Sequence, residues 1–170
     1  MSDTKYYGIY RGTVVNNIDP TMLGRINALV PAASSVTPTT WCDPCFAFTG
    51  KQMGAFMIPQ IGASVWIQFQ GGNPDFPVWM GGLYANQGEV PALALAGVPA
   101  DPNIVLQTSL QNALVISDLP GPTGGIMLKS ATGATIIVND TGIYIQNGKG
   151  ASIIMTGPTV TINNGALVVV

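Results

Sequence analysis

Few residues in this chain have the types and spacing that chemistry needs. Trp41-Cys42-Asp43-Pro44-Cys45 has the Cys-x-x-Cys spacing of dithiol redox sites. That chemistry requires the first thiolate at a helix N-terminus, where the dipole and free amides stabilise it. Phe46-Ala47-Phe48-Thr49-Gly50 follows instead, with β character and an early glycine, so two thiols on a strand are expected, with a local disulfide open. Asp140-Thr141-Gly142 has the form of an acid-protease loop, but Thr-Gly recurs at 123–124, 132–133 and 156–157, which makes the triplet a repeated corner. Asn139-Asp140-Thr141 fits a glycosylation acceptor with no export signal to support it. Histidine is absent and Glu89 is the only glutamate, so Ser/His or Cys/His pairs, His metal sites and paired carboxylates are disfavoured. No Walker loop, dinucleotide fingerprint or calcium loop is present. The expectation is no catalytic residue, no cofactor and no metal: a protein that is not an enzyme.

The chain that must position any site is unusual in composition. Charged residues make up 8% of its 170 positions, against about 25% in an average soluble protein. Hydrophobic residues reach 47%, with 21 Gly and 13 Pro. Six scattered cations and a net charge of −2 provide no patch to neutralise phosphates, so no nucleic-acid partner is expected. No apolar run is long enough to span a membrane and no signal peptide opens the chain. That places assembly in the cytoplasm. Charge keeps small monomers soluble, so a chain with so little of it is expected to hide surface in an obligate oligomer.

The informative stretches alternate in polarity or are short and β-branched, with Gly, Pro, Asn or Asp at their ends. Strands are predicted over 7–15, 24–30, 41–48, 55–58, 64–70 and 77–84, and Val65, Ile67 and Phe69 share a face. This pattern, without helices, predicts a closed antiparallel barrel of OB type over residues 1–88. Residues 89–102 form a Pro/Ala-rich connector, expected to be extended.

From 103 to 170 the chain repeats itself. Apolar-alternating segments begin near Ile104, Leu114, Ile126, Thr135, Ile143, Ser152, Val160 and Leu167, with glycine corners at 125, 133, 142, 150, 157 and 165. A unit of about eight residues spans roughly 26 Å of extended chain, too little for one chain to encircle its own core. Three interwound chains sharing a β-prism resolve this, so an intertwined homotrimeric β-helical needle is predicted. Its axis is assigned to Ile126, Leu128, Ile143, Ile145, Ile153, Val160, Ile162 and Leu167. The uncharged end Val168-Val169-Val170 must be buried or covered by another protein.

The barrel sequence resembles the OB domain of central-spike and baseplate proteins of contractile injection systems: phage tails, VgrG of type VI secretion, and extracellular injectors. The resemblance rests on Asp19-Pro20 with Leu23-Gly24-Arg25, then Pro59-Gln60-Ile61-Gly62, then Gly71-Gly72-Asn73-Pro74-Asp75-Phe76-Pro77, then Gly81-Gly82. The repeat is similar to the family's trimeric β-helical needle. Gln60 and Gln68 stand where many relatives carry glutamate.

The resemblance implies an all-β structural spike that caps the tube and pierces a target envelope on contraction. It further implies a short form, without hub or lysozyme domain. It also implies a separate hub protein at the barrel, a PAAR-like tip protein on Val168–Val170, transient contact with a target membrane, and a place in a virion or extracellular particle. No His-x-His tip motif for iron is present. The alternatives are an OB ligand-binding module stacking bases on Trp41, Trp66 and Trp79, and a tail-fibre or adhesin fragment. The sequence leaves open which machine, target cell and cargo are involved.

Overall fold

Alternation and β-branching dominate the sequence, and the structure follows them. In the computed structural model, which describes residues 4–34 and 36–169, every regular element is a strand or a single 3-10 turn. Two compact units divide the chain, Met1–Gln87 and Gly88–Val170.

The first unit holds β1 (Ile9–Asn16), β2 (Asn27–Leu29), β3 (Asp43–Pro44), β4 (Thr49–Gly50), β5 (Met53–Gly54), β6 (Ser64–Phe69) and β7 (Pro77–Leu83). Five strands form one sheet in the order β2-β1-β6-β7-β3. Its two edges meet through an antiparallel bridge between Ile26 and Cys42, with N···O distances of 3.3 and 2.7 Å. Few free edges remain, which suits a unit with few charges to guard them. Inward positions fill the interior: Val14, Ile26, Ala28, Val30, Cys42, Val65, Ile67, Phe69 and Trp79 are all buried.

Three strand expectations are corrected here. The barrel is not wholly antiparallel, because β3 runs parallel to β7, pairing Asp43 with Val78 and Pro44 with Trp79. A parallel pair needs a crossover rather than a hairpin, and β4, β5 and β6 supply it. Residues 55–58 form no strand. Met53–Gly54 pairs with Thr49–Gly50 instead, while Phe56 tilts against Phe46 with ring centroids 5.5 Å apart. In the stretch 41–48, strand pairing is confined to the Cys42 bridge and Asp43–Pro44, with a last bond from Cys45 N–H to Trp79 O at 2.9 Å.

The second unit opens with residues 89–102, which are folded into turns rather than extended. Ala94 N–H bonds to Pro91 O (2.9 Å), Leu95 N–H to Ala92 O (3.1 Å) and Asp101 N–H to Val98 O (2.9 Å). The alanines and Gly97 leave room for such tight reversals. A Cβ on Gly97 would lie 2.9 Å from the Asp101 carbonyl.

Eight strands follow: β8 (Ile104–Gln107), β9 (Ala113–Ser117), β10 (Gly125–Lys129), β11 (Thr135–Asn139), β12 (Gly142–Gln146), β13 (Ser152–Thr156), β14 (Thr159–Ile162) and β15 (Leu167–Val169). Each pairs antiparallel with the next, giving one sheet in chain order. The chain zigzags rather than coils, and the six corner glycines all adopt positive φ. At Gly142 this is a strict requirement, because a Cβ there would strike the Met155 carbonyl of the neighbouring strand.

Candidate functional site

Residues paired across an antiparallel ladder project from the same face, so the register of the meander sorts its side chains. Ile104 pairs with Ile116, Ile116 with Ile126, Ile126 with Val138, Val138 with Ile143, Ile143 with Met155, Met155 with Val160, and Val160 with Val169. The parallel row runs Leu106, Leu114, Leu128, Ile136, Ile145, Ile153, Ile162 and Leu167. Each strand thus puts two side chains on this face, and every one is Ile, Leu, Val or Met. All eight residues assigned to the needle axis from sequence lie here.

Within one chain most of this face is open to solvent. Eleven of its sixteen side chains are exposed, from 38% at Ile145 to 65% at Ile104, and Leu114, Ile143, Met155, Val160 and Ile162 are half-buried. Fully burying such a side chain stabilises by roughly 1.5–3 kcal/mol, and a single chain realises only part of that. An uninterrupted apolar face of this extent marks an interaction surface.

The opposite face is mixed. Gln107, Ala113, Lys129, Thr135, Gln146 and Ser152 form one margin, and Ser117, Asn139, Thr156 and Thr159 lie along the other. The corners bond to one another along the stack. Asn112 Oδ1 accepts from Ala131 N–H (3.0 Å), Asn163 Oδ1 from Ser152 N–H (3.1 Å), and Asp140 Oδ2 from Gly121 N–H (3.1 Å). Asn139 Oδ1 accepts from Thr141 N–H, Thr141 Oγ1 and Gly142 N–H at 2.9, 2.7 and 3.2 Å. The Asp-Thr-Gly triplet is therefore a capped corner.

In the barrel, the motif residues build three turns. The Asp19 carboxylate accepts six hydrogen bonds: from the Thr21 amide and hydroxyl (3.0 and 2.8 Å), the amides of Leu23 and Arg25 (2.9 and 3.2 Å), and Arg25 Nε and Nη2 (3.1 and 2.7 Å). The Arg25 guanidinium, helped by Thr21 and the Arg25 amide, holds this carboxyl far below the ordinary carboxylate range, against the burial that would raise it. Pro20 is exposed beside it. Gly24, at φ +83°, lies under Ile58 and Phe46, where a Cβ would sit 2.7 and 2.9 Å from their side chains. Its carbonyl accepts the buried Trp79 indole N–H at 3.1 Å.

The second turn ties the start of β6 to β1. Pro59 O accepts from Asn17 Nδ2 (3.0 Å), and Gly62 N–H bonds to Val14 O (2.8 Å). The third carries Gly71 and Gly72 at φ +58° and +73°, then Pro74 and the fully buried Pro77. Gly72 lies so close to the Tyr7 ring that a Cβ would stand 2.9 Å from it. Gly81 sits at φ +147° where the β6–β7 register shifts.

Acid titration reads the Asp19 latch. A carboxyl held low when folded contributes stability above its unfolded value, about 3.9, and loses that contribution as pH falls below it. The barrel melting temperature therefore drops below pH 4. Asp19→Asn lowers it at pH 7 and flattens the slope between pH 4 and 2, with tryptophan fluorescence reporting the barrel alone, since Trp41, Trp66 and Trp79 all lie there. Equal slopes in the two proteins would remove Asp19 from the account.

Residues 103–168 match the family described as the phage baseplate V C-terminal trimerisation domain. Residues 10–84 match the type VI secretion system/phage-baseplate injector OB domain. The chain belongs to the phage baseplate V family. It matches no curated protein.

The baseplate V assignment makes the chain a component of a phage or type VI-like injection machine, with a barrel of the injector OB class and a trimerisation domain whose uncovered apolar face is described above. The other candidate chemistries look different in place. Cys42 and Cys45 are free thiols, the first buried and the second exposed. Burial, opposed by the Thr39 hydroxyl at 3.1 Å, pushes the Cys42 thiol up to about 11, opposite to the shift a reactive thiolate needs. A maleimide will label one cysteine per folded chain, Cys45, and the second only after denaturation. Two sites reacting at equal rates would contradict this burial.

The tryptophans are engaged within the barrel. Arg25 covers Trp41 at 5.4 Å, Arg11 covers Trp66 at 5.5 Å, and Trp79 is buried. Among the described residues no cluster of three or more metal-ligating side chains forms. At the end of the sheet, Val169 is 54% exposed, Val168 pairs through its backbone with Thr161, and Val170 lies outside the described residues.

Proposed function

We propose that three copies of this chain form the central spike of a contractile injection particle, a non-catalytic part that meets the target envelope first and pierces it on contraction. The observation that carries the reading is the wholly apolar face of the meander, mostly exposed in one chain and belonging to a trimerisation domain. Each chain supplies one wall, and three walls turned inward enclose a dry core along a common axis. Such a shaft fails only when its shared core fails, so it has a high unfolding barrier suited to mechanical load. The barrels form a collar that seats on a separate hub protein. The uncharged β15 end receives a PAAR-like tip protein. The chain assembles in the cytoplasm and leaves as part of the particle.

Light scattering on the purified chain tests the assembly: a mass three times 17.6 kDa that survives SDS until boiling supports it. A stable 17.6 kDa species would end the spike reading. For piercing, particles lacking the chain should either fail to assemble or contract without delivery; normal delivery would overturn the role.

A further inference from the structure

The second unit contains the dipeptide Asn-Gly twice, at Asn147-Gly148 and at Asn164-Gly165. Asparagine is a thermolabile side chain. It is most so before glycine, where no Cβ obstructs the approach of the next backbone nitrogen to the side-chain amide. The sequence makes the two pairs equivalent, and the structure separates them.

Asn147 is clamped. Its Oδ1 accepts from Lys149 N–H at 2.9 Å and from Ala151 N–H at 3.0 Å, and its own N–H bonds to Ala151 O at 3.1 Å. Gly148 packs so tightly on the neighbouring corner that a Cβ would stand 2.7 Å from the Gly133 carbonyl carbon. The Asn147 side chain can turn onto the Gly148 nitrogen only if both amide bonds break and the corner opens.

Asn164 carries none of these restraints. It is exposed and left-handed, at φ 54° and ψ 34°, in the reversal closed by the bond from Ala166 N–H to Asn163 O at 3.3 Å. Its side-chain amide has no hydrogen-bond partner among the described residues. A Cβ on Gly165 would meet nothing within 4 Å, so the peptide has room to rotate. The adjacent Asn163 differs on both counts: its Oδ1 holds Ser152 N–H at 3.1 Å, and asparagine rather than glycine follows it.

We propose that Asn164 is a self-modification site, deamidating through the Gly165 nitrogen while Asn147 is spared. The Gly165 amide nitrogen gives its proton to solvent and attacks Asn164 Cγ, ammonia leaves, and a cyclic imide closes. Water then opens the imide at either carbonyl, leaving aspartate or isoaspartate. No charged side chain follows Lys149, so each event puts the first side-chain carboxylate on the last hairpin, β14–β15. Isoaspartate also adds a backbone methylene at the corner that sets the pairing of Ile162 with Leu167.

The test ages the full chain in mildly alkaline buffer, folded and in urea, and then cleaves it briefly with trypsin. Cleavage after Lys129 and Lys149 puts the two sites in separate peptides, 130–149 and 150–170, whose conversion from amide to acid is read by mass spectrometry. In the folded chain peptide 150–170 should convert at least about tenfold faster, because two hydrogen bonds must first break at Asn147. In urea the gap should close, because the dipeptide is the same. Equal folded rates, or a faster 130–149, overturn the proposal. So does a folded 150–170 that stays amide while the urea sample converts, or a gap that persists in urea and so belongs to the sequence. Asn164→Gln should stop the conversion of 150–170; its persistence would assign the chemistry to Asn163 and overturn the role of Asn164.

Discussion

Ile145→Asp is expected to abolish the trimer and leave a 17.6 kDa chain in light scattering. Ile145 lies mid-needle on the aliphatic face, paired with Ile136 on one side and Ile153 on the other. Assembly would bring three carboxylates into one dry layer, where each unpaired charge costs several kcal/mol and like charges add to it. The gain from burying a half-exposed isoleucine is smaller than that, so the charge wins. Burial penalises the ionised form and therefore raises the pKa of the introduced Asp, so acidification should partly restore the trimer. Thr135→Asp is the control. It lies on the opposite face, directly across from Lys129, and should leave the mass threefold. Loss of the trimer in both variants, or in neither, would mean that the aliphatic face is not the contact.

Legibility in the sequence tracked how local the determining interactions are. The eight needle strands could be read because period-two apolar residues and corner glycines fix each strand and its reversal within a few residues. β1, β6 and β7 could be read for the same reason. The segment between β2 and β6 could not. There, Phe46, Phe56 and Ile58 are set by contacts with Gly24, Trp79 and each other, and the Trp79–Gly24 bond spans 55 residues. The parallel pairing of β3 with β7 is equally non-local. The Asp19–Arg25 motif was recognisable as a pattern, but its role as a turn latch needed the hydrogen bonds. A second apolar row, Val105, Val115, Met127, Ile137, Tyr144 and Ile154, lies on the opposite face and is the less exposed of the two. Its signal was present: Ile136-Ile137-Val138 and Ile153-Ile154-Met155 are continuous apolar runs, the signature of a strand with apolar contacts on both faces.

Trp79→Ala is the substitution expected to cost the barrel most, about 3–5 kcal/mol. The indole is 6% exposed, stands edge-on to Phe46 at 5.5 Å, and donates to the Gly24 carbonyl. Removing it opens a cavity beside the hollow lined by Phe46, Ile58 and Met80, and it orphans a buried acceptor at the same time. Trp79→Phe separates the two effects, because it keeps most of the volume and loses only the hydrogen bond, at about 1–3 kcal/mol. Against a typical domain stability of about 5–15 kcal/mol, the alanine variant gives up a large share, measurable by denaturant unfolding followed on Trp41 and Trp66. The Gly24 end of the latch hangs on Trp79 and the Asp19 end on Arg25, so the two ends share one loop. Trp79→Phe combined with Asp19→Asn should therefore cost less than the sum of the single changes, because a loop already released at one end has less to lose at the other. Strict additivity would mean that the two anchors act independently, and that the loop from Asp19 to Arg25 carries two separate constraints rather than one latch.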